Sequence, residues 1–253
     1  MSTPAPVVVE TPVERRVLAA MTLLGGAVVP LEIALVRIFS SSIGRKMLMG
    51  ASGLLLLAFL LVHVGGYLVL FAGRDAFNGY SHHLTSNPLI YVAEVGLLVL
   101  FVAHLVAGIA VTAENRKARP DRYVVKRRAG GKSHKSLASS TMILSGVFMI
   151  AFVPLHLWTF KWGPSYPSPA DPAVRDLHRL VIEEFHQPLE VAWYVGAMLI
   201  IGFHLWHAFA SGLESLGVGD RDGLRRTGHV LAVLITVGFV VVPIAIWLGW
   251  VPA

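Results

Sequence analysis

The sequence predicts an all-α membrane protein, a bundle of five transmembrane helices. Three observations predict this class. The 253 residues are 55% hydrophobic and only 14% charged, whereas soluble domains carry about 25% charged residues. The mean hydropathy is +0.67. Apolar runs long enough to cross a hydrocarbon core of about 30 Å recur along the chain, and in lipid only a helix satisfies its own backbone over such a run.

The apolar runs place the five helices in order along the chain. We expect spans at residues 43–71, 88–113, 137–160, 189–213 and 228–250. The preceding segment, 17–39, is apolar but is interrupted by Pro30, Glu32 and Arg37, so we expect it to be cytoplasmic or interfacial. We therefore expect residues 1–40 to form an N-terminal cytoplasmic or interfacial segment without a cleavable signal peptide, and residues 41–253 to form the transmembrane domain.

The distribution of Lys and Arg predicts the orientation. Of 21 basic residues, 17 lie in the N-terminal segment and in the second and fourth connections. The four others are Arg74, Lys161, Arg175 and Arg179. The positive-inside rule then places the N-terminus in the cytoplasm and the C-terminus outside. Because the net charge of +6 lies in loops between spans, it does not indicate a nucleic-acid partner.

Histidines inside the spans are the candidate functional residues. His63, His104, His156 and His204 lie one on each of the first four spans, and His207 follows His204 on the fourth. At 1.5 Å per residue, His63 and His156 fall in an outer layer and His104 and His204 in an inner layer about 12 Å away. Each layer receives two histidines from alternate helices. A lone intramembrane histidine can be structural, but this pattern favours a functional role.

The ligand set favours haem over other metals. Two imidazoles facing each other in a bundle core suit a six-coordinate haem iron. Zinc takes three or four converging ligands, and the spans show no such cluster. The chain has no cysteine, which excludes thiolate iron–sulfur ligation and covalent c-type haem attachment. Glycines near the histidines (Gly53, Gly65, Gly66, Gly108 and Gly146) would let helices approach a macrocycle, although small residues are also common in membrane helix packing.

Several segments resemble one known family. They are SSIGRKMLMGASGLLLLAFLLVHVGGYLVLF (41–71), EVGLLVLFVAHLVAGIAVTAENRKARP (94–120), TMILSGVFMIAFVPLHLWTF (141–160), DLHRLVIEEFHQPLEVAWYV (176–195) and AMLIIGFHLWHAFASGLESLG (197–217). Together they resemble the single-chain, five-helix, di-haem cytochrome b anchor subunit of succinate dehydrogenases and fumarate reductases (complex II). The resemblance runs from about residue 41 to the C-terminus.

The resemblance implies ligands and partners. It pairs His63 with His156 on an outer haem b and His104 with His204 on an inner one, and it selects His204 over His207. It implies a flavoprotein subunit and an iron–sulfur subunit on the cytoplasmic face, and menaquinone as the membrane quinone. This chain would then be the quinone-reactive anchor of an enzyme in the bacterial cytoplasmic membrane, with the flavin site elsewhere. The assembled complex could also form a higher oligomer.

Other polar residues are candidates for quinone or haem-propionate contacts. They are Ser41, Ser42, Arg45, Lys46, Glu94 and His207. The first four lie where the first span begins, and their alternative role is a helix cap followed by charges that fix topology. Glu94 lies near the outer face, where a carboxyl group is costly unless it is protonated or paired.

Three alternatives remain open at this point. One is the cytochrome b subunit of another respiratory complex, such as a hydrogenase or formate dehydrogenase. Another is a metal-ion or proton-coupled transporter, which would show inverted repeats and helices broken near the midplane; we see no repeat, and only Pro154 interrupts a span near a histidine. The third is a haem-free anchor with structural histidines.

Overall fold

The computed structural model describes residues 41–118, 137–219 and 221–251, with side chains omitted at 137–140 and 221. The predicted interfacial segment 1–40 lies outside the described residues, and so does most of the basic second connection.

The described residues form seven helices. They are α1 (Ser42–Leu68), α2 (Arg74–Thr85), α3 (Leu89–Lys117), α4 (Leu137–Phe160), α5 (Leu177–Phe185), α6 (Pro188–Ser215) and α7 (Arg221–Trp247). Five of them, α1, α3, α4, α6 and α7, are long and apolar enough to cross a membrane. For the residues that the structure describes, the prediction of an all-helical architecture with five helices able to span a membrane is confirmed. The short helices α2 and α5 were not predicted.

Local sequence explains where the helices end. A 3₁₀ turn (Val69–Ala72) extends α1, and Gly73 ends it with a φ of +98°, a conformation that favours glycine. Ahead of α3, the Asn87 side chain accepts a hydrogen bond from the amide of Leu89 (2.9 Å). Pro188 opens α6, where its missing N–H group costs nothing.

The short helices α2 and α5 pack together at one end of the bundle, which we call the capped end. A buried polar cluster joins them. Asn78 donates a hydrogen bond to Asp176 (2.8 Å) and accepts one from the backbone amide of His178 (2.9 Å). Asp176 also caps α5 by accepting from the amide of Arg179 (3.1 Å), and it lies 3.8 Å from Arg74. Asn78 and Asp176 are each only 2% exposed, so this cluster fixes one connection against the other.

The five spans differ in how tightly they pack. In the apolar windows of α6 and α7, 33% and 39% of the residues are buried, against 17%, 11% and 11% in α1, α3 and α4. Glycines bring α6 close to its neighbours: Gly202 lies against Thr236 of α7, and Gly212 lies against Gly50 of α1. The helices α1, α3 and α4 therefore bury a smaller share of their apolar residues against the rest of the bundle than α6 and α7 do.

Candidate functional site

The first histidine pair joins α1 and α4. The ring centroids of His63 and His156 lie 5.9 Å apart, with an interplanar angle of 79°. An aromatic ring stacks on each imidazole from one helical turn earlier: Phe59 on His63 (5.3 Å, 11°) and Phe152 on His156 (5.7 Å, 20°). Phe239 of α7 also contacts His63 (5.5 Å). Each imidazole of this pair is therefore oriented by its own helix.

The second pair joins α3 and α6. The ring centroids of His104 and His204 lie 6.3 Å apart, with an interplanar angle of 71°. The structure therefore brings together the same two pairs that the depth of each histidine predicts. His204 is the histidine of α6 that faces His104; His207 makes no ring contact with the side chains that the structure describes.

The ring separations suit two axial ligands on one metal ion. If two imidazole nitrogens each lie about 2 Å from a metal and on opposite sides of it, their ring centroids are roughly 6.3 Å apart. Edge-to-face aromatic pairs also fall in the range of about 4.5–7 Å, so the distance alone does not distinguish ligands from packed rings. Among the described residues no three His, Cys, Asp or Glu side chains converge, so the donor set fits haem iron better than zinc.

Hydrogen bonds orient both imidazoles of the second pair. The Nδ1 atom of His104 lies 3.0 Å from the carbonyl oxygen of Met49 and 3.3 Å from Oγ of Ser52. A carbonyl only accepts, so Nδ1 carries the proton and Nε2 keeps a free lone pair. The Nδ1 atom of His204 lies 2.8 Å from Oγ of Ser145. A metal-bound histidine usually donates its other N–H group in this way, so the residues present fit a haem iron.

A duplicated motif underlies this arrangement and corrects the expectation that the spans contain no repeat. The pattern S-G-x4-A-F-x3-H covers residues 52–63 of α1 and 145–156 of α4. The pattern H-L-x4-A-x3-E covers residues 104–114 of α3 and 204–214 of α6. The pair α1 and α3 is thus repeated by α4 and α6, in the same direction along the chain.

The repeat explains which histidines meet. His63 and His156 occupy equivalent positions in the two copies, and so do His104 and His204. When two copies pack about an approximate twofold axis, residues beside that axis meet their own equivalents. Both pairs are of this kind. In each copy the histidine lies eleven positions after the serine, which is about 16 Å along the helix.

One glycine of the repeat is required for the second pair. A Cβ atom on Gly53 would lie 2.8 Å from Cε1 of His104, whereas a Cβ atom on Gly146, its equivalent, would meet nothing within 4 Å. Gly53 therefore lets the His104 ring lie directly against α1. The other predicted glycines do not line the pairs in this way: Gly65 and Gly108 face open space, and Gly66 lies against Tyr80.

The remaining polar candidates make other contacts. Glu94 forms an ion pair with Lys161, joining α3 to α4, and both side chains are about 40% exposed. At the start of α1, Ser41 accepts a hydrogen bond from the amide of Gly44 (2.9 Å), which is helix capping. Ser42 and Lys46 are exposed and Arg45 is half-buried.

Sequence reasoning missed the residues that orient the histidines. Ser52 and Ser145 are buried, at 2% and 8% exposure, and contact the second pair. The sequence feature that could have revealed them is their equal spacing: each serine lies eleven positions before a histidine of the first pair, His63 or His156.

Comparisons with known proteins do not identify the chain: no protein-family model, curated protein or solved structure matches it.

Proposed function

We propose that this chain is the membrane-anchor cytochrome b subunit of a succinate:quinone oxidoreductase, and that its histidine pairs are the axial ligands of two haems b. The observation that carries the proposal is that equivalent histidines of a duplicated helix pair face each other at two levels, 5.9 Å and 6.3 Å apart. If the histidines only packed the helices together, neither pair would need to consist of equivalent histidines from the two copies.

The chain's own residues bind and orient the cofactors. His63 and His156 would hold one haem, and His104 and His204 the other. Met49, Ser52 and Ser145 keep Nε2 of the second pair available to metal. Bound haem b supplies reversible one-electron transfer, with a potential set by its ligands and their hydrogen bonds. Because Ser52 contacts His104 and lies eleven positions before His63, the two levels are about 16 Å apart, against the about 12 Å expected from helix depth. Two such levels would extend an electron path along the spans.

The assignment to complex II rests on the resemblance of residues 41–253 to that family. From the same resemblance we propose a flavoprotein and an iron–sulfur protein as partners and menaquinone as the quinone. We also propose that the chain lies in the bacterial cytoplasmic membrane with its N-terminus on the cytoplasmic side. The transporter alternative was expected to show inverted repeats, whereas the repeat in α1, α3, α4 and α6 runs in the same direction along the chain.

A pairing experiment tests the haem assignment. Each of His63→Ala, His156→Ala, His104→Ala and His204→Ala should remove one haem from the purified protein. The double variant His63→Ala/His156→Ala should still bind one haem, whereas His63→Ala/His104→Ala should bind none. His207→Ala is the matched control and should keep both. If doubles within and across the pairs lose haem equally, the pairing is wrong.

A second experiment tests the assignment to complex II. An affinity tag on the chain in its native membrane should co-purify a flavoprotein and an iron–sulfur protein, and succinate should reduce the haems in that preparation. Recovery of a hydrogenase or formate dehydrogenase subunit would instead favour the alternative respiratory complex.

A further inference from the structure

We propose that Ser52 and Ser145 are positioning residues of the His104/His204 pair: each hydroxyl oxygen accepts the Nδ1–H of one imidazole, holds Nε2 toward the metal and strengthens the ring as a ligand. This inference rests on the proposed function and adds to it the residues that tune one of the two haems. It follows from contacts of 3.3 Å for Ser52 with His104 and 2.8 Å for Ser145 with His204.

The direction of these hydrogen bonds follows from the serine protons. The Ser52 hydroxyl donates to the carbonyl of Leu48 (2.6 Å). The Ser145 hydroxyl has two carbonyl acceptors in its own helix, those of Met142 (3.0 Å) and Thr141 (3.2 Å). A hydroxyl has one proton and two lone pairs. With the proton used inside the helix, each oxygen meets its histidine as an acceptor, so the histidine carries the proton on Nδ1.

A purely structural role would need less than this. A serine in a membrane helix satisfies its hydroxyl proton by bonding to a carbonyl one turn earlier, as Thr112 does with Gly108 (2.8 Å). Ser52 and Ser145 make that bond and also contact an imidazole on the next helix of their own copy. The same additional contact occurs at equivalent positions of both copies.

The first pair lacks this support at one of its rings. The Nδ1 atom of His156 is buried and has no hydrogen-bond partner among the described residues. An acceptor on Nδ1–H raises the basicity of a metal-bound imidazole and so favours the oxidised metal. The two serines would therefore lower the reduction potential of a haem held by His104 and His204.

The two serines should not contribute equally. The Nδ1–H group of His104 is shared between Ser52 and the carbonyl of Met49, and the carbonyl is nearer (3.0 Å). Among the described residues, Ser145 is the one hydrogen-bond contact of the Nδ1 atom of His204. Removing the Ser145 hydroxyl should therefore have the larger effect.

Redox titration of the haem-loaded protein tests the proposal. Ser145→Ala should raise the midpoint potential of the component that is absent in His104→Ala, and Ser52→Ala should raise it less. The other component should not move. Ser145→Thr restores a hydroxyl and should return the potential toward that of the wild type. Thr112→Ala is the matched control, because Thr112 lies two turns from His104, and it should change neither potential.

The outcomes separate this inference from the proposed function. A wild-type protein that binds no haem overturns the proposed function. Two bound haems with unchanged potentials in Ser145→Ala and in the double variant Ser52→Ala/Ser145→Ala overturn the serine assignment alone. If these variants do not insert, nitrogen-15 histidine NMR of the wild-type chain decides. A proton on Nδ1 of His104 and His204 supports the assignment, and a bare Nδ1 on His204 overturns it.

Discussion

Gly53→Ala should damage the second histidine pair and leave the first intact. The new Cβ atom would lie 2.8 Å from Cε1 and 3.2 Å from Nδ1 of His104, whereas ordinary contact begins at 3.4 Å. The His104 ring must therefore move by roughly 0.6 Å. That movement works against its hydrogen bond to the carbonyl of Met49 (3.0 Å).

The magnitude follows from two opposing effects. Overpacking of a tight contact costs about 1–3 kcal/mol, and replacement of a helical glycine by alanine returns about 1 kcal/mol. Gly53→Ala should thus be neutral to about 2 kcal/mol destabilising. Gly146→Ala has open space and should stabilise by up to about 1 kcal/mol. The two variants make the same chemical change at equivalent positions of the repeat.

Haem content per chain and a redox titration compare the two variants. Gly53→Ala should lose or shift the component assigned to His104 and His204, and keep the component of His63 and His156. Gly146→Ala should retain both at wild-type potentials. The reasoning fails if Gly53→Ala matches Gly146→Ala, or if it alters the first pair instead.

Three further predictions concern residues outside the pairs. Asn78→Leu removes the partners of Asp176 and of the His178 amide and should destabilise the fold by about 1–3 kcal/mol, measured by thermal unfolding in detergent; an unchanged unfolding temperature would refute the role of the cluster. Burial, aided by the nearby Arg74 charge and opposed by that of Asp176, lowers the pKa of His178 from 6.5. The folded state thus favours the neutral ring, so the free energy of unfolding should fall as the pH drops from about 6.5 toward the lower folded pKa. His178→Gln should flatten this pH dependence; the same slope in the variant and the wild type would contradict the role of His178. Glu94→Gln breaks an exposed ion pair with Lys161 and should cost no more than about 1 kcal/mol; a larger fall in unfolding temperature would show that the pair does more than join two helices.

The spans and the pairing of the histidines were predictable because both depend on distance along the chain. A membrane of nearly fixed thickness turns hydropathy into helix limits, and a rise of 1.5 Å per residue turns a position into a depth. His63 and His156 could therefore be matched, as could His104 and His204, without any knowledge of side-chain contacts.

The short helices and the serine contacts depend on other physics. The helices α2 and α5 are stabilised by a buried cluster between residues about 100 positions apart, Asn78 with Asp176 and His178, which no local pattern reveals. Ser52 and Ser145 look like ordinary polar residues in membrane helices until the neighbouring helix places an imidazole beside each. In the sequence, only the equal spacing from each serine to the next histidine along the chain distinguishes these two serines from other polar residues.

Haem quantification with a reduced-minus-oxidised optical spectrum of the purified wild-type chain tests the central claim most directly. The account predicts a low-spin b-type spectrum and two haems per chain, resolved by redox titration into two components. A colourless chain would contradict it, and so would a chain that binds a single haem with both histidine pairs intact.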